Sequence, residues 1–250
     1  MAMTTMQIDE NPFARNIGVQ GWQKRELIVP KPDEYLIGEL IPDNSLVSLQ
    51  TNGIYGKTTL AMQLAMSVAF DVPFLGTYPC LQPGKVLYLN ARDADVDNHR
   101  RFKRLVREMS QTVPDIHERI DEEVKNLTYI SMYDECYDVS PHLIDMSGSM
   151  TKTYTYLRQF SEYYKTKLIV LDPVEDFFPA NIKNIAELYQ KLRQLKVTVL
   201  LIVGDKKWYN TFHEVEVGMF LHENGLRLQS VYTGHREISL EMGAGIWIKP

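Results

Sequence analysis

A glycine followed directly by a lysine and a threonine, between an apolar strand and a helical pattern, has the makings of a polyphosphate cradle. The chain carries this arrangement in Leu46-Val47-Ser48-Leu49-Gln50-Thr51-Asn52-Gly53-Ile54-Tyr55-Gly56-Lys57-Thr58-Thr59-Leu60. Glycines let successive backbone N–H groups point into one concavity, and the positive end of the next helix aims at the same spot. The cradle would be built from Asn52, Gly53, Ile54, Tyr55, Gly56, Lys57, Thr58 and Thr59. Lys57 would reach the β- and γ-phosphates, and the Thr58 hydroxyl would ligate Mg2+. The match to G-x-x-x-x-G-K-[ST] is imperfect, because Thr51 stands where the first glycine belongs. A chance Gly-Lys-Thr at a helix start is the plainer alternative. The order strand, turn, helix argues against it.

A second chemical signal lies downstream. Leu168-Ile169-Val170-Leu171 is an apolar run that ends at Asp172. An acid at the carboxyl end of a buried strand faces the crevice where ligands bind in open α/β sheets. There it holds the Mg2+ shell, usually through water. Alone the signal is weak, since an Asp capping a helix needs no metal. Paired with Gly56-Lys57-Thr58 it reads as the second half of a nucleotide site.

The elements that must position these residues fit one large α/β domain. The chain has 250 residues, of which 44% are hydrophobic, enough for a substantial core. Residues 1–34 mix polar residues with Pro30 and Pro32 and read as an N-terminal arm; residues 35–250 read as the nucleotide-binding domain. No apolar run approaches the roughly 20 residues that span a bilayer. Met1 to Glu10 lacks a signal-peptide pattern, so a cytoplasmic protein without a membrane partner is expected. Cys80 and Cys136 make no disulfide framework and no metal cluster. With a net charge of −5, any nucleic-acid contact must come from a local basic patch.

Along the domain, Leu46 to Gln50 is the first buried strand. Leu60, Ala61, Leu64, Ala65 and Val68 recur at helical spacing, which predicts a helix with one face on a sheet. Val86 to Leu89, Leu127 to Met132, Leu168 to Asp172 and Val197 to Val203 read as further strands. Asp97 to Met109, Tyr154 to Tyr164 and Ile185 to Leu195 read as helices. From Val215 to Ile248, short strands alternate with turns, which predicts antiparallel hairpins at the sheet edge. The alternation predicts a mostly parallel central sheet flanked by helices.

Three runs carry a resemblance to a known family. They are Pro73-Phe74-Leu75-Gly76, then Pro83-Gly84-Lys85-Val86-Leu87-Tyr88-Leu89, then Leu168-Ile169-Val170-Leu171-Asp172-Pro173. In order and spacing the chain resembles the RecA-like P-loop ATPases over roughly residues 35 to 240. Within them it is most similar to the RepA-type plasmid and phage hexameric helicases, with the KaiC and DnaB groups more distant. The resemblance implies a RecA-like fold, ATP and Mg2+ as ligands, and a homo-oligomeric ring or filament with ATP between subunits.

The chain departs from that family at two informative places. Where such ATPases carry a Glu that orients the attacking water, this chain reads Tyr88-Leu89-Asn90-Ala91-Arg92-Asp93, which places Arg92 at the Glu position. A guanidinium stays protonated and has no acceptor lone pair, so it cannot act as a base. Asp93 is adjacent, and Asp95 and Glu175 are acids with other routes to the site. The candidate catalytic residues are therefore Lys57, Asp172, Asp93 and Glu175, with competent nucleotide binding and weak or conditional hydrolysis expected. The second departure is Val203-Gly204-Asp205, where family members often place a polar side chain that senses the γ-phosphate.

Other patches suggest partners. Lys206 and Lys207 beside Trp208 and Tyr209 combine cations with aromatics, a pairing that suits single-stranded DNA. Trp208 also suits a core or interface anchor. Phe177 to Asn181 is a candidate second lining loop. In ring ATPases a late Arg reaches the neighbour's γ-phosphate; Arg227 and Arg236 are the candidates, and ordinary surface arginine is the alternative. The basic helix with Arg100, Arg101, Lys103, Arg104 and Arg107 reads as a solvated face, with a phosphate or subunit contact as the alternative.

Overall fold

The computed structural model describes residues 34–51, 56–132, 140–178, 185–204, 215–222, 225–230, 234–243 and 246–248. In chain order the elements are β1 (Tyr35–Ile37), β2 (Ile41–Pro42), β3 (Leu46–Thr51), α1 (Lys57–Phe70), β4 (Val86–Asn90), α2 (Asp95–Met109), α3 (Ile116–Glu123) and β5 (Leu127–Ser131). They continue with α4 (Lys152–Tyr164), β6 (Leu168–Asp172), a short 3-10 turn (Val174–Phe177), α5 (Ile185–Gln194) and β7 (Thr198–Ile202). The chain then runs through β8 (Val217–His222), β9 (Gly225–Ser230), β10 (Gly234–Ser239), β11 (Glu241–Gly243) and β12 (Ile246–Ile248).

Among the described residues the main sheet has eight strands in the order β10-β9-β8-β3-β7-β6-β4-β5. From β8 to β5 all neighbours run parallel. The antiparallel edge predicted after Val215 is present in β9 and β10. Its first strand has a second neighbour that was not expected: β8 also lies beside β3, parallel to it, with Val47 opposite Val217 and Thr51 opposite Leu221. β8 thus joins the parallel core on one side and forms the expected antiparallel hairpin with β9 on the other, and β9 with β10 completes the edge.

Strand side chains alternate between the two faces. Val47, Leu49, Tyr88, Val170, Leu200, Ile202 and Met219 point to the α1 side. Leu46, Leu87, Leu89, Ile169, Leu171, Val199 and Leu201 point to the opposite side, where Leu157 of α4 and Leu188 and Leu192 of α5 meet them. Strands buried on both faces read as unbroken apolar runs, which is why β6 and β7 stood out in the sequence.

Helix α1 is more enclosed than its stripe predicted. Every residue from Thr59 to Phe70 is buried, Gln63 and Ser67 included. The sheet covers one side, and α2, α3 and β12 pack over the others. A helix that is hydrophobic all round is a core helix. It ends where Asp71 turns left-handed at φ 52° and donates its N–H to the Ser67 carbonyl. No helix among the described residues is long and apolar enough to cross a membrane.

Candidate nucleotide site

Four strands deliver the site residues to one end of the sheet. In spatial order β3, β7, β6 and β4, their carboxyl ends lead into Gly56-Lys57-Thr58, Gly204, Asp172 with Glu175, and Arg92. This is the end at which parallel α/β sheets bind ligands.

Gly56 caps α1 with φ 78° and ψ 42°, a left-handed conformation that glycine adopts without a Cβ clash. Its carbonyl accepts the Leu60 N–H at 3.0 Å and so opens the helix. Lys57 and Thr58 are therefore the first helical residues, beside the positive end of the helix. Asn52, Gly53, Ile54 and Tyr55 lie outside the described residues.

Asp172 and Thr58 meet. The Thr58 hydroxyl hydrogen-bonds to the Asp172 carboxylate. Tyr88 donates its phenol hydrogen to Asp172 Oδ2 at 2.7 Å, and Asn90 Nδ2 lies 3.5 Å from the same oxygen. Asp172 is only 4% exposed. Burial lifts its carboxyl to about 6, against the pull of the Tyr88 and Thr58 hydrogen bonds. Burial likewise lowers the Lys57 ammonium, while Asp172 and Glu175 favour its charged form and Arg92 opposes it.

The donor set tests whether Mg2+ fits here. A hydroxyl and a carboxylate, already in contact, are hard oxygen donors of the kind Mg2+ takes. No group of three or more His, Cys, Asp or Glu among the described residues could hold a metal alone. Mg2+ keeps several waters and takes the rest of its shell from substrate phosphates. Thr58 and Asp172 would hold it.

Arg92, at the position where a Glu was expected, is tied down. Its Nε donates to Asp176 Oδ2 at 2.5 Å and its Nη2 to Asp176 Oδ1 at 2.9 Å, a two-point grip. Nη2 also lies 3.5 Å from Glu175 Oε1. Glu175 is buried and accepts the Gly204 N–H through Oε2 at 3.1 Å. A Cβ on Gly204 would stand 2.4 Å from Glu175 Oε1, so a side chain there would push that carboxylate tip aside. Gly204 lacks a side chain to sense phosphate, but its main chain positions Glu175.

Asp93 is turned the other way. It pairs with Arg101 Nη1 at 2.9 Å, while the Asn90 side chain accepts the Arg92 and Asp93 N–H groups at 3.0 and 2.7 Å. One arginine of the predicted solvated face of α2 is thus drawn inward, and Asp93 faces α2 rather than Lys57.

Arg227 and Arg236 both have partners in their own chain. Arg227 Nε donates to Glu237 Oε2 at 3.1 Å, and His222 Nε2 lies 2.6 Å from Glu237 Oε1. Arg236 lies 3.5 Å from Glu39 and 5.8 Å from the Tyr78 ring centre. A hollow of about 670 Å3 opens beside Thr51, lined among others by Phe220, His222, Arg227 and Gln229. Lys206, Lys207 and Trp208 lie outside the described residues. Of the candidate lining loop Phe177 to Asn181, residues 179–181 lie outside the described residues; Phe177 and Phe178 are core residues packed with Leu171 and Tyr189, because the 3-10 turn folds them under the sheet end.

Sequence reasoning missed Tyr88, Asn90 and Asp176. Tyr88 and Asn90, two residues apart, share one face of β4, and only the pairing of β4 with β6, which sets Asn90 opposite Asp172, reveals their use.

Fold and site together define a RecA-like P-loop ATPase. A family model described as an AAA domain, AAA_25, matches residues 21–203, and the chain belongs to that family. The match begins inside the segment expected to be an arm and ends one residue before Gly204. Among solved structures, the chain is similar to a KaiC-like protein from the hyperthermophilic archaeon Pyrococcus horikoshii OT3. The identity is 15% and the TM-score 0.52, covering 89% of this chain and 98% of that one, a likeness of fold. No curated protein matches the chain in sequence.

Proposed function

We propose that the protein binds ATP with Mg2+ and is a ring- or filament-forming ATPase related to the RepA-type helicases, acting on single-stranded DNA with weak or conditional hydrolysis. The observation that carries the nucleotide reading is the contact between Thr58 and Asp172, two residues far apart in sequence whose oxygens suit one Mg2+. When bound, Mg2+ would neutralise phosphate charge. Lys57 would bind the terminal phosphates, and Tyr88 would hold Asp172 in place.

Slow turnover follows from the acids. Arg92 cannot accept a proton. Asp93 is held by Arg101, and Glu175 is shared between the Gly204 N–H and Arg92. A positioned general base contributes about 10²–10⁴-fold in rate, so its loss slows hydrolysis without abolishing binding. The single-stranded DNA element rests on Lys206, Lys207 and Trp208 in the sequence.

The clamped Arg92 also favours a second reading: a catalytically impaired ATP-binding assembly or regulatory protein whose nucleotide controls oligomerisation. One pair of measurements separates the two. ATP hydrolysis is followed with and without single-stranded DNA, and oligomer mass with and without ATP. DNA-stimulated turnover supports the motor. A mass change driven by ATP without turnover supports the regulator. Fast hydrolysis by the protein alone contradicts both.

A further inference from the structure

Arg92 reaches further across the site than its strand position requires. It follows β4, yet its guanidinium passes over the turn after β6 and arrives at Gly204, after β7. A Cβ placed on Gly204 would lie 3.2 Å from Arg92 Nη1. The next strand over is β3, which leads into Lys57 and Thr58. Arg92 is close enough to Lys57 and Asp172 to interact electrostatically with both.

The guanidinium is also divided in its use. Nε and Nη2 are held by Asp176 and Glu175, whereas Nη1 makes no hydrogen bond among the described residues. Arginine presents its donors in a rigid planar fork that suits phosphate oxygens. Two acids fix one edge of this fork and leave Nη1 beside Gly204, at the carboxyl end of β7. A cation held in place before its anion arrives loses little freedom on binding.

We propose that Arg92 is a ligand for the terminal phosphate of a nucleoside triphosphate, supplied by the same chain, with Asp176 as its positioning residue. The inference rests on the nucleotide-site reading above and adds a specificity to it. Lys57 and the helix end serve any nucleotide with a β-phosphate, and Arg92 Nη1 distinguishes the triphosphate from the diphosphate. The residue that replaces the expected acid would then strengthen retention of ATP where an acid would promote its hydrolysis.

The test measures Mg2+-dependent binding of ADP and of a non-hydrolysable ATP analogue to the full chain by calorimetry. In Arg92→Gln the analogue should bind roughly ten- to a hundredfold more weakly, the span expected for a lost charge-assisted hydrogen bond, with ADP affinity nearly unchanged. Retained ADP binding shows that the site is folded. Arg92→Lys should keep part of the preference, because the charge remains and the fork is lost. Asp176→Asn should reduce the preference with Arg92 still present, which a merely structural role for Asp176 would not do. Equal losses for ADP and analogue, or none for either, overturn the proposal. The underlying reading fails differently: Lys57→Ala would then leave both affinities as they were.

Discussion

Tyr88 gives its phenol hydrogen to Asp172 across 2.7 Å, and both are buried. The donor lies on β4 and the acceptor at the end of β6, so the bond fixes the carboxylate next to Thr58. Removing only the hydroxyl, in Tyr88→Phe, leaves one acceptor of a buried acid without that donor. A hydrogen bond to a charged group is worth about 1.5–3 kcal/mol, and a stability loss of that size is expected in urea denaturation at neutral pH. Affinity for Mg2+·nucleotide should fall in parallel, and unchanged values of both would show that Asp172 is held by other groups.

The raised carboxyl of Asp172 makes stability depend on pH. Its folded value of about 6 exceeds the ordinary 3.8, so between those values the folded state binds more protons than the unfolded state. Stability from this group is therefore present at low pH and lost as pH rises through about 6. Asp172→Asn removes the titration. Its stability relative to the parent should grow by about 1 kcal/mol from pH 5 to 7.5 without nucleotide. The parent's affinity for Mg2+·nucleotide should rise over the same interval, because coordination needs the carboxylate. A flat difference between parent and variant would place the buried charge elsewhere.

Gly204→Ala tests the close approach of β7 and Glu175. The new methyl would stand 2.4 Å from Glu175 Oε1, so the carboxylate must leave the Gly204 N–H. The carboxylate is the far end of a flexible side chain and moves aside, so the loss is that of its hydrogen bond, about 0.5–1.5 kcal/mol. The loss should be read from the denaturation midpoint; a midpoint equal to the parent's would mean Glu175 moves aside at no cost.

Phe177→Ala distinguishes a core side chain from a loop that meets a partner. Phe177 is fully buried among Leu171, Val174 and Tyr189. Truncating such a residue costs about 3–5 kcal/mol. An exposed lining residue would cost far less.

Local patterns made part of this protein legible. Gly56-Lys57-Thr58 and Leu168 to Asp172 announce themselves within a few residues, because a helix start and a buried strand each have their own signature. The parallel sheet followed from the alternation of such pieces. What stayed hidden depends on which strands become neighbours. Arg92 and Asp176 are 84 positions apart, and only the adjacency of β4 and β6 brings them together. β8 reads as a hairpin strand and does pair with β9, but its place beside β3 is a long-range choice. Phe177 and Phe178 looked like loop aromatics because Pro179 and Asn181 follow them, and a short 3-10 turn instead carries them into the core.

The central claim is that Lys57, Thr58 and Asp172 together hold a nucleotide and its Mg2+. Calorimetric titration of ATP with and without Mg2+, into the parent protein and Lys57→Ala, tests it most directly. Mg2+-dependent binding by the parent should weaken roughly ten- to a hundredfold in the variant. Equal affinities in the two proteins, or binding indifferent to Mg2+, would contradict the account.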